Sequence, residues 1–263
     1  MLATGALAAL GGKLHYERCS RCSSLIAVDA RRDPGVLDEI YSALPDVYWT
    51  RLSPQDRFAK TLERHVRRRH SDGDLWDVGC GTGTLLANMS DRWNKHGIEP
   101  GGQAVVEARR QQLDVRQGTA ATCALREVAD VVVLVDVIEH MPAPQAELDA
   151  IFQMLRPGGT LAVFTGRADA RLPRLSGSLW YYLHCVGHVT ILSRGALCEL
   201  LERAGFIDVE VLRVEHQGGV SWWKWLSRVA GNAARVLLGR QPAGMHYLRD
   251  HQLALATKPI STA

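Results

Sequence analysis

Apolar residues follow two different spacings along the central part of the chain. Short apolar runs predict strands at 75–78, 96–99, 114–116, 131–135, 160–165, 209–214 and 252–256. Apolar residues spaced three or four positions apart predict helices at 84–93, 103–113, 144–155 and 197–204. The run 131–135 is mostly β-branched, which is typical of a strand buried on both faces of a parallel sheet. This regular succession of strands and helices predicts an α/β fold with a doubly wound sheet.

Both ends of the chain depart from this succession. Prolines and glycines break any long element in the first 50 residues, so we expect an N-terminal segment over 1–50 and one domain over 51–263. A helix is expected to begin at Ser53, with Pro54 in its first position. Its end is expected in the basic run 64–70, where cations face the negative end of a helix dipole. A contact with nucleic acid is the alternative interpretation of that run.

A glycine-rich loop follows the strand predicted at 75–78, and it reads Asp77-Val78-Gly79-Cys80-Gly81-Thr82-Gly83. Glycines at alternate positions permit a tight turn and a close approach of a ligand to the backbone. The spacing differs from the G-x-G-x-x-G of dinucleotide enzymes, and the absence of G-K-[ST] excludes a P-loop. The next strand ends in Glu99, whose carboxylate is placed to accept hydrogen bonds from both hydroxyls of a ribose. The sequence therefore predicts a site for a nucleoside cofactor.

This loop and several later motifs resemble the class I S-adenosylmethionine-dependent methyltransferases. The segments that carry the resemblance follow the family's order: 77–83, 97–100, 130–141, 155–160 and 187–206. The last of them is similar to a stretch in quinone-biosynthesis methyltransferases. The resemblance implies a Rossmann-like, three-layer α/β/α fold with seven strands, the last strand antiparallel. It also implies that S-adenosyl-L-methionine binds across the carboxyl ends of the strands.

The resemblance assigns a set of residues to this cofactor: Asp77, Gly79, Cys80, Gly81, Gly83, Glu99, Pro100, Thr119, Asp136 and Val137. Thr119 stands where the family often has an aspartate that touches the adenine amino group, and a hydroxyl can still donate or accept a hydrogen bond there. Asp136 and Glu139 have an alternative role, as acidic caps of a helix start. We expect no bound metal.

Methyl transfer to a hydroxyl or an amine requires a proton acceptor, and histidine commonly serves near neutral pH. The candidates are His140, His184 and His188. His140 directly follows the fourth strand of the sheet, although it can instead pack against a helix start. His188 matches a family position at which the residue shapes a loop instead of acting as a base.

The connection over about 167–193 is long for a compact domain, so we expect a lid. Trp180, Tyr181 and Tyr182 lie in this lid and are suited to bind a flat or apolar acceptor, unless they belong to the core. The order of the predicted elements therefore places an aromatic lid after the fifth strand.

Two further segments carry local patterns. Cys19 and Cys22 form half of a zinc-ribbon pattern, but a structural zinc site needs four ligands, so we predict no zinc there. An insertion at about 221–240 is amphipathic and begins with tryptophans. We expect it to pack on its own domain or on the other copy in a homodimer, and the alternative is peripheral contact with a membrane.

Composition and one further motif narrow the classes of molecule that could accept the methyl group. The 263 residues carry 31 Lys and Arg against 28 Asp and Glu, a net charge of +3 that gives no concentrated positive field for phosphates. The fourth strand ends in Asp136-Val137-Ile138-Glu139 and lacks the Asn/Asp-Pro-Pro-aromatic pattern that enzymes use to hold a flipped base. We therefore predict methyl transfer to a small molecule, at a hydroxyl oxygen as in quinone or specialised-metabolite biosynthesis, and no nucleic-acid partner.

Other functions remain open at this point. They are N- or C-methylation of a small molecule or sugar, methylation of a macromolecule, and non-catalytic binding of adenosylmethionine. The six cysteines are scattered and no apolar run is long enough to span a bilayer, so we expect a cytoplasmic protein.

Overall fold

The computed structural model describes residues 14–29, 56–177, 180–185, 187–214, 222–239 and 250–260. The strands are β1 (Tyr16–Arg18), β2 (Leu25–Ala27), β3 (Gly73–Val78), β4 (Trp93–Glu99), β5 (Asp114–Gln117), β6 (Ala129–Val135), β7 (Leu155–Gly166), β8 (Thr190–Ile191), β9 (Ile207–Val214) and β10 (His251–Thr257). The helices are α1 (Asp56–Val66), α2 (Thr84–Asn88), α3 (Gly102–Arg110), α4 (Ala120–Cys123), α5 (Pro144–Met154), α6 (Arg171–Ser176), α7 (Arg194–Arg203) and α8 (Trp222–Leu237). Single 3₁₀ turns occur at Ile138–His140 and Tyr181–His184.

Seven strands form the central sheet in the order β5-β4-β3-β6-β7-β10-β9. The pairs from β5 through β7 are parallel, and β10 runs antiparallel to both of its neighbours. The seven-stranded sheet with an antiparallel last strand is therefore confirmed. The chain order reverses between β3 and β6, and ligands of such sheets bind in the crevice at the carboxyl ends of the strands flanking this point.

Alternating side chains of β6 face the two layers of helices. Val131 and Val133 join the core beneath α1, α2 and α3. Val132 and Leu134 join the opposite core, beneath α4, α5 and α7. Because all four side chains are fully buried, the strand contains no polar face, which is why its sequence is an uninterrupted apolar run. The three-layer α/β/α arrangement is confirmed.

The predicted helix at 84–93 is wrong beyond Asn88, because β4 begins at Trp93. Glu63 of α1 explains the early end. Its carboxylate accepts hydrogen bonds from the backbone N–H of Ser90 at 3.3 Å, from the Ser90 hydroxyl, and from Nε1 of Trp93 at 3.2 Å. These contacts hold the chain in an extended course into the sheet, and the local pattern contains no sign of them.

The sequence Pro157-Gly158-Gly159, which is typical of a turn, lies inside the strand β7. In the pairing of β6 with β7, Ala129 faces Leu155, but Val131 already faces Thr160. An advance of two residues along β6 therefore corresponds to an advance of five residues along β7. The extra residues of β7 include the Pro-Gly-Gly sequence, which forms the irregularity in the pairing. The left-handed φ of +82° at Gly158 suits glycine.

The described part of the N-terminal segment packs against the predicted lid. β1 and β2 form an antiparallel hairpin, and β2 pairs with β8. The Tyr16 hydroxyl donates a hydrogen bond to the backbone oxygen of His188 at 2.6 Å. The expected domain boundary near residue 50 and the helix start at Ser53 lie outside the described residues. The two-part division stays a prediction, as does the absence of zinc at Cys19 and Cys22.

None of the helices in the described ranges is long and apolar enough to cross a membrane.

Candidate active site

The glycine-rich loop forms a cradle between β3 and α2. Gly79, Gly81 and Gly83 all have left-handed backbone conformations, with φ of +79°, +54° and +81°. A Cβ atom on Gly79 would lie 2.5 Å from a methyl group of Val137, and one on Gly83 would lie 2.2 Å from a methyl group of Leu113. A Cβ atom on Gly81 would meet nothing within 4 Å. The loop is thus packed at both ends and open at its centre, where a ligand can approach the backbone.

Glu99 lies beside this cradle at the end of β4. One carboxylate oxygen accepts a hydrogen bond from the Gly81 N–H at 2.9 Å, and the other accepts one from the Gly101 N–H at 2.8 Å. The strand end therefore carries a carboxylate whose orientation is fixed by two backbone amides. Pro100 follows directly in the same turn. The structure thus brings together the loop and the acidic residue that the sequence assigned to one site.

Burial and mutual repulsion govern the ionisation of the acids near the loop. Burial, and then the Glu99 carboxylate, raises the pKa of Asp77 to about 8. Burial also raises the pKa of Glu99, although the two amides oppose this shift. The Cys80 thiol has a raised pKa because it is buried and lies near both carboxyl groups. The Cys80 thiol is therefore neutral and packs in the core, and its contact with the cofactor stays a prediction.

Gly118 and Thr119 follow β5 beside the end of β4. The Gly118 N–H donates a hydrogen bond to the backbone oxygen of Glu99 at 3.0 Å. The Thr119 hydroxyl accepts a hydrogen bond from the Thr122 N–H at 3.3 Å, and the Thr119 N–H donates to the Thr122 hydroxyl at 2.7 Å. Thr119 is thus the N-cap of α4. Its contact with adenine stays a prediction.

A second group of polar side chains lies where β6 and β7 end. Asp136 follows β6 with a φ of +52°, which is uncommon for a residue other than glycine and often marks a functional site. The Tyr182 hydroxyl lies 3.1 Å from a carboxylate oxygen of Asp136 and also hydrogen-bonds to Glu139. The Gly166 N–H donates to this hydroxyl at 3.0 Å, and the Thr165 hydroxyl donates to Glu139 at 2.9 Å. The segment predicted as a lid and the edge of the sheet are therefore joined by one buried network.

Two acids share the hydroxyl of Tyr182 in this network. Burial, and then the Asp136 carboxylate, raises the pKa of Glu139 well above its ordinary value. The Tyr182 hydroxyl lies within hydrogen-bond distance of both Glu139 and Asp136, and it has a single hydrogen to donate. The role of Glu139 as a helix cap is not observed, since the N-cap of the following turn is Val137.

His140 and His188 lie edge to face, with ring centroids 4.7 Å apart. Nδ1 of His140 lies 2.8 Å from the backbone oxygen of Gly187, and Nδ1 of His188 lies 2.8 Å from that of Tyr182. Because a carbonyl oxygen only accepts hydrogen bonds, each Nδ1 carries the proton. Burial lowers the pKa of both rings. Both are thus neutral, and Nε2 is the basic nitrogen in each.

Cys185 lies beside this pair. One ligand atom from each of His140, Cys185 and His188 lies within 4.8 Å of the other two. Two neutral imidazoles and a sulfur are chemically suited to hold a transition-metal ion. The expectation of no bound metal stays a prediction.

The three aromatic residues of the lid have different surroundings. Trp180 is buried in a small core with Leu25, Ala168 and Ile191, and its Nε1 donates to Asp250 at 2.9 Å. Tyr182 is buried in the network described above, whereas the Tyr181 side chain is 44% exposed. The core interpretation holds for Trp180, and binding of an acceptor by these residues stays a prediction.

The third histidine candidate, His184, ends the 3₁₀ turn of the lid. Its side chain is outside the described part of the chain, and its role stays a prediction.

The last strand contributes two residues that the sequence did not single out. Nδ1 of His251 lies 2.6 Å from one Asp250 carboxylate oxygen, and Nε2 of His251 lies 3.9 Å from Asp136. The His251 ring stacks on Phe164 and is fully buried. An acid next to a histidine at the start of the final strand was the only sign in the sequence that these two residues belong to the site. The fold is needed to bring them to the edge of the sheet where β6 and β7 end.

The fold and this site together define a class: an α/β enzyme that binds a nucleoside cofactor at the carboxyl edge of a sheet with seven strands. The methyltransferase domain family matches residues 48–211, which is more than half of the chain. The chain therefore belongs to the class I S-adenosylmethionine-dependent methyltransferases.

Several proteins of known name are similar to the chain. A probable S-adenosylmethionine-dependent methyltransferase from Mycolicibacterium smegmatis is 29% identical over 203 residues, covering 76% of this chain and 72% of that protein. A ubiquinone biosynthesis O-methyltransferase from Pseudomonas entomophila is 29% identical over 182 residues, covering 65% of this chain and 70% of that protein. An indolepyruvate C-methyltransferase from Streptomyces griseus is 28% identical and covers 62% of this chain and 55% of that protein.

Solved structures share the fold. A possible histamine N-methyltransferase from Thermotoga maritima matches with a TM-score of 0.57 at 20% identity, covering 84% of this chain and 99% of that one. Human N-acetylserotonin methyltransferase, solved with adenosylmethionine, matches with a TM-score of 0.52 at 16% identity, covering 97% of this chain and 63% of that one.

Proposed function

We propose that the protein transfers a methyl group from adenosylmethionine to a hydroxyl oxygen of a small molecule, as in quinone or specialised-metabolite biosynthesis. The observation that carries this proposal is the pair of neutral imidazoles, His140 and His188, each held by a hydrogen bond from Nδ1 to a backbone oxygen. A hydroxyl is a weak nucleophile until it loses its proton, and a neutral Nε2 can accept that proton. The similarity to an O-methyltransferase of ubiquinone biosynthesis supports the same acceptor group.

The residues of the loop fit the cofactor. The open face of Gly81 admits a ligand to the backbone, and the fixed carboxylate of Glu99 suits a pair of ribose hydroxyls. When bound, the sulfonium supplies an electrophilic methyl group and a neutral thioether as the leaving group.

The residues of the chain supply position and proton transfer. The buried lid residues Trp180 and Tyr182 keep water from the edge of the sheet, and the Tyr182 hydroxyl fixes the lid to Asp136. Alignment of acceptor and methyl group reduces the entropic part of the barrier, a contribution of about 7–11 kcal/mol in favourable cases. Nε2 of His140 or His188 receives the hydroxyl proton.

A second candidate is C-methylation of a small 2-oxo acid, which the similarity to an indolepyruvate C-methyltransferase supports. This reaction also needs a base, because a proton must leave the carbon next to the carbonyl group before transfer. The same neutral imidazoles would serve as the base in this reaction.

We further propose that the protein is cytoplasmic and that it can form a homodimer.

The experiment uses methyl-labelled adenosylmethionine with three sets of acceptors: phenols and catechols, primary amines, and 2-oxo acids. We expect label in an ether product of a hydroxyl acceptor, identified by mass spectrometry. Label only in the amines or only in the oxo acids would overturn O-methylation. Cofactor binding without label in any acceptor would favour a non-catalytic binding protein. The Glu99→Ala variant provides the blank.

A further inference from the structure

Most of the side chains of helix α8 that the structure describes are exposed. Trp222 and Trp223 are 52% and 65% exposed, and Leu226, Val229 and Leu237 are exposed as well. Among the side chains of this helix that the structure describes, Asn232 alone is buried. Packing on its own domain, one of the arrangements expected for this insertion, therefore does not cover these five apolar side chains.

The sequence of α8 divides into two faces. At 100° per residue, the apolar positions occupy one side: Trp222, Trp225, Leu226, Val229, Ala233, Val236 and Leu237. Lys224, Arg228 and Arg235 fall together on the opposite side. The helix contains no acidic residue. Tryptophans at one end, an apolar face and a purely cationic polar face are the features of helices that lie in the interface of a bilayer.

We propose that α8 is the site at which this protein binds the surface of an anionic phospholipid bilayer. In this arrangement the apolar face and the tryptophans enter the headgroup region, and the three cations contact lipid phosphates. Such binding is peripheral and reversible, since a short amphipathic helix does not span the bilayer. It would hold the enzyme at the membrane surface, where apolar acceptors partition.

Charge favours an anionic bilayer over a second copy of the chain as the partner of α8. A symmetric dimer packed through the apolar faces would turn both cationic faces away from the contact, so these charges would add nothing to it. An anionic lipid surface is complementary in charge to a helix that carries cations and no acid, and each Lys or Arg near it strengthens binding about fivefold. The proposal does not depend on which acceptor is methylated.

The test is flotation of the full chain with vesicles of phosphatidylcholine alone and with vesicles that also contain phosphatidylglycerol. We expect the protein to float with the anionic vesicles only, and to detach at high salt. Arg228→Gln combined with Arg235→Gln should weaken binding about 25-fold, because two charges are removed. Trp222→Ser combined with Trp223→Ser should abolish binding.

Matched controls lie elsewhere on the surface. Ile260 is 74% exposed, and the side chain of Arg110 is 73% exposed, so Ile260→Ser and Arg110→Gln should float like the unaltered protein. Because the changed side chains of α8 are exposed, thermal unfolding of those variants should also match the unaltered protein.

Two results would overturn the proposal. The first is the absence of flotation with anionic vesicles. The second is equal binding by the two-arginine variant. If the unaltered protein fails to float and runs as a dimer that the tryptophan changes convert to a monomer, α8 is an interface between copies of the chain.

Discussion

The hydroxyl of Tyr182 lies 3.1 Å from a carboxylate oxygen of Asp136. This contact joins the lid to the end of β6, next to the loop that is suited to the cofactor. The same hydroxyl accepts a hydrogen bond from the Gly166 N–H and hydrogen-bonds to Glu139. One oxygen therefore connects the segment predicted as a lid to the ends of both β6 and β7. The Tyr182 hydroxyl is therefore one of the buried contacts that join the segment predicted as a lid to the edge of the sheet.

Tyr182→Phe should lower turnover while leaving the affinity for adenosylmethionine within about threefold of the original. The change leaves the Gly166 N–H and the Glu139 carboxyl group without this partner, and each buried unsatisfied group costs about 1–3 kcal/mol of stability. Steady-state kinetics, calorimetric titration and chemical unfolding measure the three quantities. If Tyr182→Phe and Glu139→Gln have additive effects on unfolding free energy, the two side chains do not act as one network.

Two glycines of the loop should respond differently to alanine. Gly81→Ala adds only the cost of a left-handed backbone, about 1–2 kcal/mol, because its Cβ meets open space. Its main effect should be loss of cofactor binding by at least about tenfold. Gly79→Ala should destabilise the fold more, because its Cβ would lie 2.5 Å from Val137.

Gly195 provides the control for the glycine series. It has an ordinary φ, open space around its Cβ position and a place in helix α7, so Gly195→Ala should not destabilise the fold and should leave cofactor affinity unchanged. Calorimetric titration and thermal unfolding of the three variants make the comparison. Cofactor binding by Gly81→Ala at the original affinity would show that the open face of the loop is not used.

Asp77 should contribute a fall in stability as pH rises from about 4 to about 8. The pKa of Asp77 is raised to about 8 in the fold, against an unfolded value of about 3.9. Between these values Asp77 binds more protons in the folded state than in the unfolded state, so its contribution to the unfolding free energy decreases with pH. Asp77→Asn removes this contribution and should make the slope of unfolding free energy against pH less negative.

Chemical unfolding across this pH range tests the Asp77 prediction. Asp91 provides the control, because its side chain is fully exposed and Asp91→Asn should keep the original slope. An Asp77→Asn variant whose slope equals that of the unaltered protein would contradict the buried, protonated state of Asp77.

His140→Gln or His188→Gln should reduce methyl transfer to hydroxyl acceptors by about 10²–10⁴-fold, the usual contribution of a general base. Cofactor affinity should stay close to the original in both, as also for His184→Ala. Because burial lowers the pKa of both rings, the acid limb of the rate profile should lie below pH 6.5, the ordinary value for histidine.

Three outcomes bear on the histidine prediction. Unchanged turnover in all three variants would eliminate histidine as the base and favour an acceptor that ionises by itself. An acid limb at or above the ordinary histidine pKa would contradict the buried neutral rings. A chelator should leave the rate unchanged, since we expect no metal at His140, Cys185 and His188, and loss of activity with the chelator would contradict this.

The sequence was sufficient for features that depend on neighbouring residues. The apolar run of β6 and the glycine loop with Glu99 are local patterns, so the sheet and the edge that is suited to the cofactor followed from them. Features that depend on distant contacts were missed. Glu63 ends α2 through Ser90 and Trp93, and His251 reaches Asp136 only because β10 inserts between β7 and β9.

Chemistry within the site was also only partly predictable. His140 and His188 were singled out because of their places in the chain, but their shared orientation depends on the backbone oxygens of Gly187 and Tyr182. Tyr182 was expected to contact an acceptor. The fold buries its hydroxyl in a hydrogen-bond network with Asp136 and Glu139. Neither arrangement has a local signature in the sequence.

Calorimetric titration with adenosylmethionine and adenosylhomocysteine tests the central claim most directly. The unaltered protein should bind both ligands, and Glu99→Ala should bind each at least about tenfold more weakly, because the carboxylate held by the Gly81 and Gly101 amides is lost. Failure of the unaltered protein to bind either ligand, or equal binding by Glu99→Ala, would contradict the account.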